Sequence, residues 1–297
     1  MKYFHGTTQF YMEGASAITL GKFDGVHRGH QKLMRHIKSL ETEEIKSVVF
    51  ALNARTEALI LTREEQKDVV EKMGISCLIE CPFVPEISGM MPETFVKEIL
   101  VDRLHAKYIT VGSDFRFGYR RQGDAKLLES LQEACGFQVD VMEKERLKDR
   151  EISSTYVREA LAEGKMELAA ELLGRPFLVK GVVQHGRRIG RTLGMPTVNL
   201  VPSQEKLLPP NGVYASKTEI DGRLCPGITN IGCKPTIGEK FRGVETYLFD
   251  LNQDLYGKEI TTFLYGFERP EQKFSSRDEL RAQMHRDISF GKEYFRG

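Results

Sequence analysis

Among its five cysteines the sequence has no CxxC pair, and it carries almost no net charge, with 43 Lys and Arg against 42 Asp and Glu. An odd set of cysteines with no CxxC pair suits free thiols in a reducing compartment better than a secreted disulfide scaffold. The charge balance gives no global field with which to grip a nucleic-acid backbone or an anionic bilayer, so neither is expected as a partner. No apolar run approaches the roughly eighteen residues that crossing a membrane requires. Residues 1–19 read as too polar and too broken by Gly and Ser for a secretory signal, so the expectation is a cytoplasmic protein. No internal period recurs, which excludes repeat architectures. What is present is a chain of 297 residues, 40% hydrophobic and 29% charged, long enough for two ordinary domains.

The punctuation changes along the chain. Short apolar runs at 17–20, 47–50, 108–111 and 138–141 alternate with helix-like stretches at 29–40, 62–73, 92–104 and 124–134, the order of an α/β unit with a parallel sheet. Thr62 followed by Glu65 reads as a capping box, and Pro92 as a first-turn proline. Beyond residue 173, strand-like runs at 177–183, 212–218, 244–249 and 258–263 are separated by Gly, Pro and Asn turns. This predicts a small β domain, closed into a barrel so that no strand edge is left exposed. A last helix is expected over 276–285, opened by Ser276 with Glu279 three residues on. The boundary is placed between 178 and 179.

Residues 21–30, GKFDGVHRGH, put glycines and two histidines between the first strand and its helix. The crevice beyond the carboxyl end of a parallel strand takes ligands, and a helix start favours phosphate. His27 and His30, three apart, can point the same way and stabilise charge as an α-phosphate is attacked and pyrophosphate leaves. Metal ligation and a purely structural turn are the competing readings. Residues 152–158, ISSTYVR, offer hydroxyls and Arg158 at a helix start, which is either a second phosphate site or ordinary capping. Residues 111–118, VGSDFRFG, hold Asp114 and Arg116 with Phe115 and Phe117, able to stack on a flat ring and hold its polar edge. The alternative there is an Asp–Arg pair at a surface.

Residues 186–200, GRRIGRTLGMPTVNL, form a basic, glycine-punctuated loop entering a strand. The loop does not match GxxxxGK[ST], so a Walker-type P-loop is rejected, yet glycine and arginine can still wrap phosphates. RNA binding by Arg187, Arg188 and Arg191 lacks an aromatic ladder to accompany it. Thr197 and Asn199 share one side of an extended stretch and offer oxygens of the kind Mg²⁺ accepts. Glu245, inside a strand-forming run, is either a base for a hydroxyl attacking a γ-phosphate or a charged strand position.

Over essentially its whole length the chain resembles the bifunctional bacterial riboflavin kinase/FAD synthetase family. The matching segments are those just quoted together with RQGD at 121–124, LLGRPF at 172–177, LPPNGVY at 208–214, NIGCKPTI at 230–237, VETYLFD at 244–250, DLYG at 254–257 and KFSSRDEL at 273–280. The resemblance implies a Rossmann-like nucleotidyltransferase domain over 1–178 that adenylates FMN, and a flavokinase barrel over 179–297 that phosphorylates riboflavin. Both reactions would use ATP and Mg²⁺. His27 and His30 would act on the ATP phosphates within a loop shaped by Gly21, Phe23, Asp24, Gly25 and Gly29. Ser153, Ser154, Thr155 and Arg158 would close on the phosphates, and Asp114, Phe115, Arg116 and Phe117 would line the flavin pocket. In the barrel, Gly186, Arg187, Gly190 and Gly194 would frame the nucleotide, Thr197 and Asn199 would hold Mg²⁺, Glu245 would be the base, and Arg269 would lie near the flavin entrance. A monomer or weak homo-oligomer is expected.

The chain departs from this family at 50–55, FALNAR, where Asn53 replaces the histidine of a Pro-His-Pro-like segment. An amide cannot carry the charge of an imidazolium, and one lost charge-assisted contact to phosphate costs on the order of 10² in rate unless Arg55 substitutes for it. A riboflavin kinase with an impaired or regulatory adenylyltransferase domain is therefore the second reading.

Overall fold

The four apolar runs of the N-terminal half become strands of one sheet in a computed structural model that describes residues 1–53, 58–185, 194–235, 240–251 and 253–296. The chain divides into two compact units, Met1–Glu57 with Gln66–Ser153, and Ala58–Glu65 with Ser154–Gly297.

In the first unit the strands are β1 (Lys2–His5), β2 (Ser16–Gly21), β3 (Lys46–Asn53), β4 (Cys77–Pro82), β5 (Ala106–Gly112), the short pairs β6 (Arg116–Phe117) with β7 (Gly123–Asp124) and β9 (Arg146–Leu147) with β10 (Arg150–Glu151), and β8 (Gln138–Met142). Six of them form a parallel sheet in the order β1-β4-β3-β2-β5-β8. β1 and β4 lie outside the runs identified from sequence. An acid in the middle of β4, Glu80, hides its strand character; buried, it accepts from Tyr3 Oη at 2.9 Å and pairs with His5 Nδ1 at 2.9 Å, both on β1. The helices are α1 (Arg28–Ser39), α2 (Arg63–Lys72), α3 (Pro85–Ser88), α4 (Pro92–Phe95) and α5 (Ala125–Cys135). Pro92 stands in the first turn of α4 as expected, but the helix continues through Val96–Arg103 with wider, π-type turns, and Leu104 N–H donates to the Ile99 carbonyl at 3.1 Å. One sheet face, with Ile18, Phe50, Ile79 and Ile109, packs on Phe95, Ile99 and Leu100. The apolar stripe of α1, Met34 and Ile37, is buried as well.

In the second unit α6 (Ser154–Ala162) and α7 (Met166–Leu173) precede six antiparallel strands, β11 (Phe177–Gln184), β12 (Thr197–Leu200), β13 (Gly212–Ile220), β14 (Arg223–Pro235), β15 (Lys240–Leu248) and β16 (Glu259–Pro270). They close into a barrel in the order β11-β12-β15-β14-β13-β16, as the turn-rich pattern predicts. Its interior is partly hydroxylic: Thr229 Oγ1 lies 2.8 Å from both Ser216 Oγ and Thr246 Oγ1, and Thr218 and Thr262 pair at 3.1 Å, all fully buried. Such mutual pairing satisfies groups that would otherwise be costly in a dry core. The last helix, α8 (Arg277–Tyr294), starts at the expected Ser276 cap but runs past residue 285. Gly291 does not end it; it allows close approach, since a Cβ there would come within 2.6 Å of Ile228 and 2.9 Å of Phe249.

The Thr62–Glu65 capping box forms, Thr62 N–H donating to Glu65 Oε2 at 2.8 Å and Glu65 N–H to Thr62 Oγ1 at 3.3 Å. Glu65 has a further role that its capping pattern does not reveal. Its carboxylate accepts from Lys206 Nζ at 2.6 Å and from Lys180 N–H at 2.9 Å, and the Lys206 ammonium also donates to the Ile60 carbonyl and lies over the Phe177 ring. This buried ion pair clips residues 58–65 into the barrel unit. Lys206→Met would remove the ammonium that is hydrogen-bonded to this buried carboxylate and leave Arg175 as a cation facing it, a cost of about 3 kcal/mol. Urea unfolding followed by hydrogen exchange of the barrel strands should show a lower midpoint, with part of the loss recovered by adding Glu65→Gln; an unmoved midpoint would contradict the clip.

Candidate functional site

Strand order in the first unit reverses at β2: β3 and β4 extend to one side, β5 and β8 to the other. Ligands of doubly wound sheets bind beyond the carboxyl ends of the strands at such a switch point. Both segments singled out in this half, GKFDGVHRGH after β2 and VGSDFRFG at the end of β5, leave the sheet there. His27 caps α1, its Nδ1 accepting from His30 N–H at 3.4 Å, and the two imidazoles stack with centroids 3.6 Å apart. The helical turn therefore starts where the histidine spacing requires. Phe23, fully buried, meets the His30 ring edge-on at 5.2 Å. A Cβ at Gly29 would touch the His27 ring at 3.2 Å, so glycine is what lets the histidine fold back over the turn. Phe23 and Val26 adopt φ of 49° and 43° around Gly25 at 81°. Left-handed backbone costs roughly 1–3 kcal/mol at each non-glycine residue, so surrounding contacts must hold the turn.

After β5, Asp114 pairs with Lys144 at 3.0 Å, and Lys144 also pairs with Glu151 at 2.8 Å; these two carboxylates, Glu151 first, raise the pKa of the lysine. Arg116 pairs with Asp124, the cap of α5, at 3.2 Å. Phe115 and Phe117 stack at 5.5 Å, but the Phe117 ring belongs to the core beside Phe95, and Gly123 is required because a Cβ there would lie 2.7 Å from that ring. Asn53 is the last residue of β3. The Ile152 carbonyl faces the Gly29 position at 3.8 Å, so the chain reaches Ser153, the last residue of this unit, from beside the histidine turn. Ser154, Thr155 and Arg158 lie in the first turns of α6, in the second unit.

In the barrel, Asn199 of β12 pairs in register with Glu245 of β15, and Glu245 in turn with Asn230 of β14. Residues directly opposite across neighbouring strands share a face, so a carboxylate stands between two carboxamides. The next residues, Thr246 and Thr229, are buried inside the barrel, which places the Asn199–Glu245–Asn230 row on its outer face. Thr197, two residues before Asn199, shares that face. The same face continues to Ile228 and Val213, which pack with Phe249 and Ile288 of α8. Asn230 was not singled out in the sequence; period-two alternation counted on from Ile228 marks it. Gly194 precedes β12 at φ 77°, with open space where its Cβ would be. Gly186, Arg187 and Gly190 lie outside the described residues.

Arg269 closes on Asp287 of α8 through two bonds, Nε at 2.9 Å and Nη2 at 2.6 Å, and donates to the Pro270 carbonyl as well. A bidentate, largely buried pair of this kind anchors α8 to β16. Beside it, burial and the neighbouring Asp287 charge push Glu268 up to about 7. Arg242 of β15, also missed from sequence, binds the Leu208 and Pro209 carbonyls and Asn211 Oδ1, and Asn211 donates to Glu271 at 3.1 Å. The segment 208–212 is thereby pinned three residues from Glu245.

A hydroxyl, two carboxamides and a carboxylate are hard oxygen donors, the set that suits Mg²⁺ carried with nucleotide phosphates. Among the described residues no three His, Cys, Asp or Glu side chains gather into an all-protein cage. A parallel α/β unit with an anion-favouring turn at its switch point, in one chain with a closed barrel bearing a carboxylate beside oxygen donors, defines a two-unit nucleotide-using transferase. The riboflavin kinase family pattern matches residues 173–295 and the FAD synthetase family pattern residues 11–156. Proteins described as bifunctional riboflavin kinase/FMN adenylyltransferase are 35% identical in Escherichia coli strain K12 over 98% of this chain and 96% of theirs, and 34% identical in Bacillus subtilis over 95% and 93%. The Haemophilus influenzae protein of the same description is 33% identical over 94% of each chain. A crystal structure described as a macrolide-efflux protein from Streptococcus pneumoniae superposes with a TM-score of 0.85 at 28% identity, covering 96% of both chains. The chain belongs to the bifunctional riboflavin kinase/FMN adenylyltransferase family.

Proposed function

We propose that the chain phosphorylates riboflavin with ATP to give FMN and ADP, and then adenylates FMN with a second ATP to give FAD and pyrophosphate. The observation that carries the kinase reading is the Asn199–Glu245–Asn230 row: one carboxylate held between neutral amides, on the strand face shared with Thr197. Glu245 accepts the proton of the riboflavin 5′-hydroxyl as that oxygen attacks the γ-phosphorus and ADP leaves. Thr197 and Asn199 would hold Mg²⁺, which supplies charge neutralisation on the phosphates when bound. In the first unit the FMN phosphate is itself the nucleophile at the α-phosphorus, so no protein base is needed. The stacked His27 and His30 and the α1 start stabilise the charge that develops as pyrophosphate departs. Ser153, Ser154, Thr155 and Arg158 are assigned to phosphate, and Asp114, Arg116 and Phe115 to the flavin side. The division of labour is placed at residues 1–178 and 179–297. A monomeric or weakly oligomeric cytoplasmic enzyme agrees with this reading; no helix among the described residues is long and apolar enough to cross a membrane.

Incubation with Mg-ATP and riboflavin, and separately with Mg-ATP and FMN, followed by chromatography of the flavins, tests the proposal. FAD is expected from both mixtures. FMN from riboflavin with no FAD in either would reduce the chain to a flavokinase, with Asn53 at the end of β3 as the first residue to suspect.

A further inference from the structure

The left-handed turn at the end of β2 is held by two glutamines that the catalytic reading does not use. Gln66 Nε2 donates to the Phe23 carbonyl at 2.9 Å, and Gln31 Nε2 donates to the Val26 carbonyl at 2.9 Å. Both glutamines are buried, and both acceptors belong to non-glycine residues with positive φ. The Gln31 amide has a fixed sense, because Arg35, which can only donate, binds its Oε1 at 2.9 Å and leaves Nε2 for Val26. The Phe23 carbonyl is doubly engaged, accepting from Val26 N–H at 3.2 Å in addition to Gln66.

A trans peptide points its C=O and the following N–H in opposite directions. Drawing the Phe23 and Val26 carbonyls toward buried amides therefore turns the N–H groups of Asp24 and His27 the other way. The His27 N–H belongs to the residue that caps α1, and a helix start favours anions. Without the amides, either peptide can rotate about the torsions that flank it, ψ of Phe23 with φ of Asp24 or ψ of Val26 with φ of His27, and each flip would replace an N–H with a carbonyl oxygen on the side that meets phosphate. We infer that Gln66 and Gln31 are positioning residues for adenylyl transfer, holding the Phe23 and Val26 peptides in the sense that lets the turn present His27 and His30 to ATP. The inference rests on the phosphate reading of this turn. Gln66 lies 36 positions beyond His30 on a different helix, so no local motif marks it.

The test uses the full-length chain. Gln66→Met keeps the length and removes the donor; Gln66→Lys restores a donor on a similar stem; Gln31→Met removes the other amide. FAD formation from FMN and FMN formation from riboflavin are measured on the same preparations, so kinase turnover reports folding. Each Met variant should lower kcat for FAD formation about 10- to 30-fold with the KM for ATP within about threefold, because the loss is in alignment and not in ground-state binding. Kinase turnover should stay within about twofold, Gln66→Lys should recover most of the loss, and in a His30→Ala background Gln66→Met should cost no more than about a further twofold. Wild-type kcat in both Met variants, or equal losses in both activities, would overturn the inference. If instead His30→Ala leaves FAD formation intact, the phosphate reading of the turn falls and the inference with it, a result separable from failure of the glutamines alone.

Discussion

Glu245→Gln should abolish FMN formation from riboflavin, lowering turnover by on the order of 10³, and should leave FAD formation from supplied FMN unchanged. The substitution is nearly isosteric. Glutamine preserves the strand, the register with Asn199 and Asn230, and the outer-face position, while removing the ability to accept a proton. A loss confined to kcat, with the KM for riboflavin little changed, is what removal of a transition-state role produces. If kinase turnover persisted, Glu245 would be only a charged strand position, and the base would have to be sought elsewhere on the same face. Measuring both products from one preparation guards against a folding defect.

His30→Ala should show the mirror image: FAD formation falls by about 10²–10³, the size of losing one preorganised donor to developing charge, while riboflavin phosphorylation continues. The magnitude follows from placement. His30 lies in the first turn of α1, stacked on His27 at 3.6 Å, so its loss removes the group proposed to stabilise charge and also the ring that supports its partner. Because the FMN phosphate is its own nucleophile, no pH optimum set by a protein base should accompany this step. Unchanged FAD formation would remove the turn from the reaction.

Much of this architecture is legible from periodicity and punctuation. Alternating apolar runs marked four of the six parallel strands, and Gly, Pro and Asn turns marked the barrel, because hydrophobic pattern and turn chemistry are local properties. The Thr62–Glu65 box and the Ser276 cap were likewise visible. β4 was hidden because its acid, Glu80, finds Tyr3 and His5 on a strand 75 residues away. The same limit explains the missed site residues. Asn230 becomes meaningful only once β14 is set beside β15, and Gln66 only once α2 reaches the Phe23 carbonyl. Arg269, which the resemblance puts near the flavin entrance, has a partner that sequence does not show, since its guanidinium is engaged by Asp287 of α8. Glu65 also carries more than its motif implies, since the ion pair with Lys206 depends on a residue 141 positions distant.

Two separate chemistries on one chain make one experiment more direct than any other. Glu245→Gln and His30→Ala proteins are each incubated with riboflavin and Mg-ATP, alone and mixed, and FAD is followed by chromatography. Neither variant alone should accumulate FAD, the first for lack of FMN and the second for lack of adenylyl transfer, whereas the mixture should produce it as FMN made by one protein is adenylated by the other. FAD from either variant alone, or none from the mixture, would contradict the assignment of the two transfers to these two sites.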